Sequence, residues 1–181
     1  MTDESAIAAL RQEITGSGLF DPAWYLAAHP DVAAAGTDPL EHYVRFGMAE
    51  RRPPNRYLDP DWYLTENPDI AGVGLDPVLH YLRHGDLEGR RPHPMVDPVW
   101  YRAAYELAPD TPVLKHFLAA RLGGHHVPCP ELFAVPFLAL YRDDPAAGTD
   151  PVAHFLDDMA AAEAEPFPDL MIVIGSGLVD P

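Results

Sequence analysis

Two adjoining stretches of this chain are near copies at an offset of 38 residues, and that repeat constrains the fold more than any single motif does. Residues 57–94, YLDPDWYLTENPDIAGVGLDPVLHYLRHGDLEGRRPHP, lie over residues 19–56, LFDPAWYLAAHPDVAAAGTDPLEHYVRFGMAERRPPNR. Trp24 falls on Trp62, Pro39 on Pro77, His42 on His80, Glu50 on Glu88 and Arg52 on Arg90. One more step of 38 brings Asp97, Pro98, Trp100 and Tyr101 onto Asp59, Pro60, Trp62 and Tyr63. A fixed period of this length marks a row of small supersecondary units.

Each full unit holds two Asp-Pro steps, and both read as helix starts. In the first, Asp59 can accept from the free amides of the opening turn, and Pro60 takes the first helical position, where its missing N–H costs nothing. Leu58 and Tyr63 are spaced for a hydrophobic staple, as are Phe20 with Tyr25 and Val96 with Tyr101. Pro68 ends this short helix, and PDIAGVG reads as a loose turn or a short helix. The second start, Asp76-Pro77, opens a helix with Val78, Tyr81 and Leu82 on one face. Arg83 and His84 suit its last turn, and Gly85 is expected to close it as a left-handed cap. No segment alternates as a strand does. The expected fold is all-α: tandem helical hairpins of about 38 residues, each too small to be stable alone, stacked as a short solenoid-like array.

Along the chain, residues 1–18 hold an amphipathic helix with Ile7, Leu10 and Ile14 on one side, which is expected to cap the first unit. Units one (19–56) and two (57–94) match closely. Unit three (95–130) is worn: Pro112 precedes His116, the spacing from tryptophan to histidine is two residues shorter, and GGHHVPCP replaces EGRRPHP. Unit four (131–168) keeps Phe133, Phe137 and DPVAHFL but has no tryptophan, and residues 160–164 continue its helix. In the tail (169–181), GSGLVDP repeats the GSGLFDP that opens unit one. Such an ending suggests a piece of a longer array, or an end whose remaining copy was lost. Its apolar MIVI is expected to pack on unit four.

Charge and composition narrow the partners. Against 12 basic residues stand 28 acidic ones, a net charge of −16, so neither nucleic acid nor an anionic membrane surface is expected as a partner. The lone Cys129 rules out an internal disulfide framework and fits a reducing compartment. The N-terminus is acidic with no apolar signal region, and no apolar run is long enough to span a bilayer. A cytoplasmic protein without membrane insertion is the expectation.

The two closest units resemble a bacterial tandem repeat of the form F-D-x-x-Y-L-x-x-N-P-D-V-x-x-A-G-x-D-P-L-x-H-Y-x-x-x-G-x-x-E-G-R-x-P. The resemblance is specific over residues 19–94 and loose over 95–168. That repeat accompanies glycosyltransferase domains of surface-polysaccharide synthesis and sulfotransferase-like proteins, and occurs in some secreted calcium-binding proteins. The resemblance implies no catalytic residue and no cofactor. It implies a scaffold or interaction module whose partner is a protein or fused enzyme domain, or a glycan. The alternatives are an accessory fragment of a glycosyltransferase or sulfotransferase, and a leaderless secreted calcium-associated surface protein.

Three sets of residues carry candidate chemistry. His42, His80, His116 and His154 hold one register in all four units; they read as a metal ladder or as half-buried imidazoles bonded to the preceding loop of their own unit, and identical register favours architecture. His116, His125, His126 and Cys129 form the one cluster with soft-ligand chemistry, although without the paired spacing of closed sites. Arg52, Arg90 and Arg91 could take an anion such as a sugar phosphate, or bridge successive units with Glu50 and Glu88. Trp24, Trp62 and Trp100 could stack on sugars; at least one member of each Trp-Tyr pair is expected in the core.

Overall fold

The computed structural model describes residues 4–123, 126–133 and 150–164. Among these, every regular element is helical, and the only bridge is an isolated antiparallel one between Asn55 and Leu58. No helix of the described residues is long and apolar enough to cross a membrane. Helix α1 spans Glu4–Ser17. Unit one then gives α2 (Pro22–Ala28), α3 (Pro30–Ala35) and α4 (Pro39–His42), the last widening into a π turn over Tyr43–Gly47. Unit two repeats this as α5 (Pro60–Glu66), α6 (Pro68–Val73) and α7 (Pro77–His80), with a π turn over Tyr81–Gly85. Unit three keeps only α8 (Pro98–Ala104) and α9 (Val113–Ala120), and α10 covers Pro151–Ala164.

The Asp-Pro steps act by local cap chemistry. Asp21, Asp59 and Asp97 each accept from the amide of the tryptophan three residues on, at 2.9–3.0 Å. Asp38 and Asp76 do the same for Glu41 (2.7 Å) and Leu79 (2.9 Å). Each such cap stabilises its helix by about 1 kcal/mol. The PDIAGVG segment is a true helix closed by Gly74 at φ 67°. Gly85 does not serve as a left-handed cap. The chain stays helical through Asp86 and turns left-handed only at Gly89, φ 73°.

Units one to three are each clasped at the base. The amide of the first cap donates to the carbonyl of a proline near the unit's end: Asp21 to Pro54, Asp59 to Pro92 and Asp97 to Pro128, at 2.9–3.0 Å. Inside, the tyrosines rather than the tryptophans form the core. Tyr25, Tyr63 and Tyr101 are fully buried, whereas Trp24, Trp62 and Trp100 are half-buried. The Phe20 staple meets Tyr25 with ring centroids 5.2 Å apart.

The units share one continuous apolar core that includes Ile7 and Ile14 of α1. Helix α1 runs beyond unit one. Its Glu4 pairs with Arg45 and its Arg11 with Glu41, while Glu13 holds Arg83 of unit two and the Gly16 carbonyl accepts from Lys115 of unit three at 3.1 Å. Arg121 of unit three reaches Asp21 of unit one at 3.3 Å and Asp150, ahead of α10, at 2.7 Å. Tyr57 sits under this junction, its ring 4.9 Å from Phe117 and its hydroxyl donating to Asp150 at 3.2 Å. The unit-four aromatics Phe133 (its side chain) and Phe137, and the MIVI tail, lie outside the described residues.

Candidate functional site

The repeated chemistry of units one to three centres on a tyrosine and a histidine brought together from the first and last helices of each. The Tyr25 hydroxyl meets His42 Nδ1 at 3.1 Å, Tyr63 meets His80 at 2.8 Å and Tyr101 meets His116 at 2.9 Å. The register histidines therefore bond a buried tyrosine of their own unit, not the preceding loop. Unit four has Phe137 near the corresponding place in sequence, and its His154 lies instead 3.7 Å from Asp158. Burial pushes the Tyr25 hydroxyl up to about 12 and raises Tyr63 and Tyr101 as well. Burial, followed by the nearby Arg90, lowers His80, so a neutral imidazole faces a neutral phenol at pH 7.

Gly47 and Gly85, which carried no functional reading in the sequence, make this pair fit. A Cβ on Gly47 would fall 2.5 Å from the Tyr25 hydroxyl and 2.9 Å from the Tyr43 ring, and one on Gly85 would meet Tyr63 in the same way. The π turn slides the helix over the phenol, and only a hydrogen side chain leaves room. The sequence signal is a glycine five residues after the histidine in units one and two alone.

Arg52 and Arg90 face inward within their units. Arg52 grips Asp31 through two nitrogens, at 3.1 and 2.9 Å, and donates to Glu50 at 2.6 Å. Arg90 repeats this with Asp69 and Glu88 and adds Asn67 at 2.7 Å. The guanidiniums hold the carboxyls of Asp31 and Asp69 below their usual range. Bidentate pairing to the middle helix of the same unit makes these arginines clasps within a unit rather than bridges to the next. Arg91 does look across the boundary, donating to the carbonyls of Pro94 and Val96, the latter at 3.1 Å.

The tryptophans sit at the rim of the tyrosine core. Trp24 meets His29 edge-on at 6.5 Å, and Trp100 meets Tyr105 at 6.1 Å. A shallow groove opens where the end of unit one meets unit two, lined by Met48, Arg51, Asp61, Leu64, Leu75 and Asp76. In the histidine loop, His116 and His126 come together with ring centroids 5.6 Å apart, and His126 lies 4.2 Å from Tyr105. Cys129 is buried, and His125 falls outside the described residues. Among the described residues no three metal-ligating side chains gather around one point.

No protein-family model, curated protein or solved structure matches this chain.

Proposed function

We propose that this chain is a non-catalytic helical-repeat module, a scaffold that docks a protein partner or a glycan chain in bacterial surface-glycan assembly. One observation supports the reading above the others. Units one and two commit the same polar groups to the same internal bonds: tyrosine to histidine, arginine to aspartate and glutamate, aspartate to helix amides. Chemistry duplicated in this way serves a mount, whereas a reaction centre needs one unequal constellation with a free nucleophile or base.

In this reading the units form a short array that curls until unit three touches the start of unit one. The half-buried tryptophans recur at one rung of units one to three, and their indole faces suit the apolar face of a sugar ring. With a net charge of −16, the surface favours a partner that presents basic groups. The test is to mix the purified chain with the glycosyltransferase of a surface-polysaccharide system, follow complex formation by light scattering, and assay sugar transfer by the chain alone. A complex without transfer by the chain is expected. Turnover of a nucleotide sugar by the chain alone overturns the proposal.

A further inference from the structure

The segment HYLRH sets His80 and His84 four residues apart at the end of α7 and in its π turn. Side chains so spaced stack on one helix face. Here the two imidazole centroids lie 5.7 Å apart with their planes at 49°. His80 is not free to turn, because the Tyr63 hydroxyl holds its Nδ1 at 2.8 Å. A histidine anchored through one ring nitrogen presents the other to a metal in a fixed direction.

Unit one supplies a built-in comparison. There the same turn carries His42 and Phe46, with centroids 5.5 Å apart and the same interplanar angle of 49°. Unit two thus differs at this spot by an exposed nitrogen heterocycle in place of a benzene ring, in an otherwise equal geometry. Architecture is served equally by Phe46, so the second imidazole is left without an architectural reason.

We propose that His80 and His84 form a two-imidazole site for a first-row transition ion of the Cu²⁺, Ni²⁺ and Zn²⁺ class, with water completing its coordination. Two nitrogen donors suit those ions and not the oxygen-seeking Mg²⁺ or Ca²⁺. The site is separate from the docking role and stands without it.

Ni²⁺ titration by calorimetry tests this on the full chain, on His84→Phe, on Phe46→His and on His126→Phe. His84→Phe, which copies unit one, is expected to weaken binding at least tenfold without moving the melting temperature. Phe46→His is expected to add a second equivalent. Wild-type affinity in a normally melting His84→Phe overturns the proposal, as does loss of the first equivalent in His126→Phe but not in His84→Phe. If His84→Phe melts lower, Phe46→His decides: a second equivalent supports the site, and none overturns it.

Discussion

Units two and three carry the same tyrosine–histidine pair, yet only unit two widens its last helix to make it. In unit two the π turn brings Gly85 against the Tyr63 hydroxyl. In unit three α9 stays α-helical and passes into a 3₁₀ turn, and the position five residues after His116 is Arg121. With no close approach to respect, that side chain extends to Asp21 and Asp150 and ties unit three to two other parts of the chain. The pair is therefore separable from the glycine. Glycine is demanded by the widened helix, and its loss lets a unit trade internal closeness for an external tie.

The junctions between units differ in a matched way. At the first junction, Asp76 of unit two caps its own α7, and its charge adds to burial in raising the Tyr43 hydroxyl of unit one. At the second, the position of Asp76 is taken by Pro112, which offers no side-chain cap. The cap comes instead from unit two: Asp86 accepts from the amides of Val113 (2.6 Å) and Leu114 (3.0 Å), and its charge adds to burial in raising Tyr81. The position of Asp86 in unit one is Met48, which is buried. Both junctions thus have one carboxylate at one spot, supplied from opposite sides.

The largest test of this comparison is at the core tyrosine. Tyr63→Ala is expected to cost about 3–5 kcal/mol in denaturant melts, and the half-buried Trp62→Ala roughly half as much. Equal losses would mean that the indole, not the phenol, carries unit two. Gly85→Ala comes next, at about 2 kcal/mol from overpacking. Adding Tyr63→Phe removes the atom it strikes and should recover part of that loss, a coupling a double-mutant cycle reads directly. Arg121→Ala, with no such clash, should show no coupling to Tyr101→Phe.

Asp86→Met, which imposes unit one's residue on the second junction, is expected to cost about 2 kcal/mol through the lost cap. Pro112→Asp in the same chain should restore most of it; no rescue would show that the two junctions are not equivalent. The smallest effect concerns pH. His93 closes unit two as Asn55 closes unit one, each accepting an amide two residues on, at 3.1 and 2.7 Å. Burial pushes His93 down to about 4. Between the ordinary imidazole value and that one, the unfolded chain binds a proton that the folded chain refuses. Stability is therefore full above about pH 6.5 and falls as pH drops towards 4. His93→Asn should remove on the order of 1 kcal/mol of the loss between pH 7 and pH 5, measured as a flatter melting profile.

What the sequence disclosed was what is decided locally. Asp21, Asp59 and Asp97 signal helix starts because an aspartate and the next three residues settle the cap among themselves. Period and apolar spacing likewise gave the helical class and the burial of one residue in each Trp-Tyr pair. At Gly85 the local signal points to a left-handed cap, whereas its reason is the Tyr63 hydroxyl, 22 residues earlier, and no local rule holds that distance. The sequence leaves Arg90 open between an anion and a bridge to the next unit for the same cause: Asp69 becomes its partner only once α6 has folded back. Nor does periodicity reveal that Arg121 meets Asp21, since a repeat describes neighbours and this contact skips one unit.

The clasp at the base of units one to three bears on how such chains change over generations. Because entry and exit of a unit are held together by one backbone bond, as between Asp59 and Pro92, a gene segment of one period can be duplicated or excised and the chain resumes at the same point in space. Copy number then behaves as a heritable length setting, insulated from the wiring inside each unit. The junction carboxylate limits that freedom. A new copy fits only where one side brings the acid and the other does not, so Met48 with Asp76, and Asp86 with Pro112, record which neighbours these units have evolved to accept.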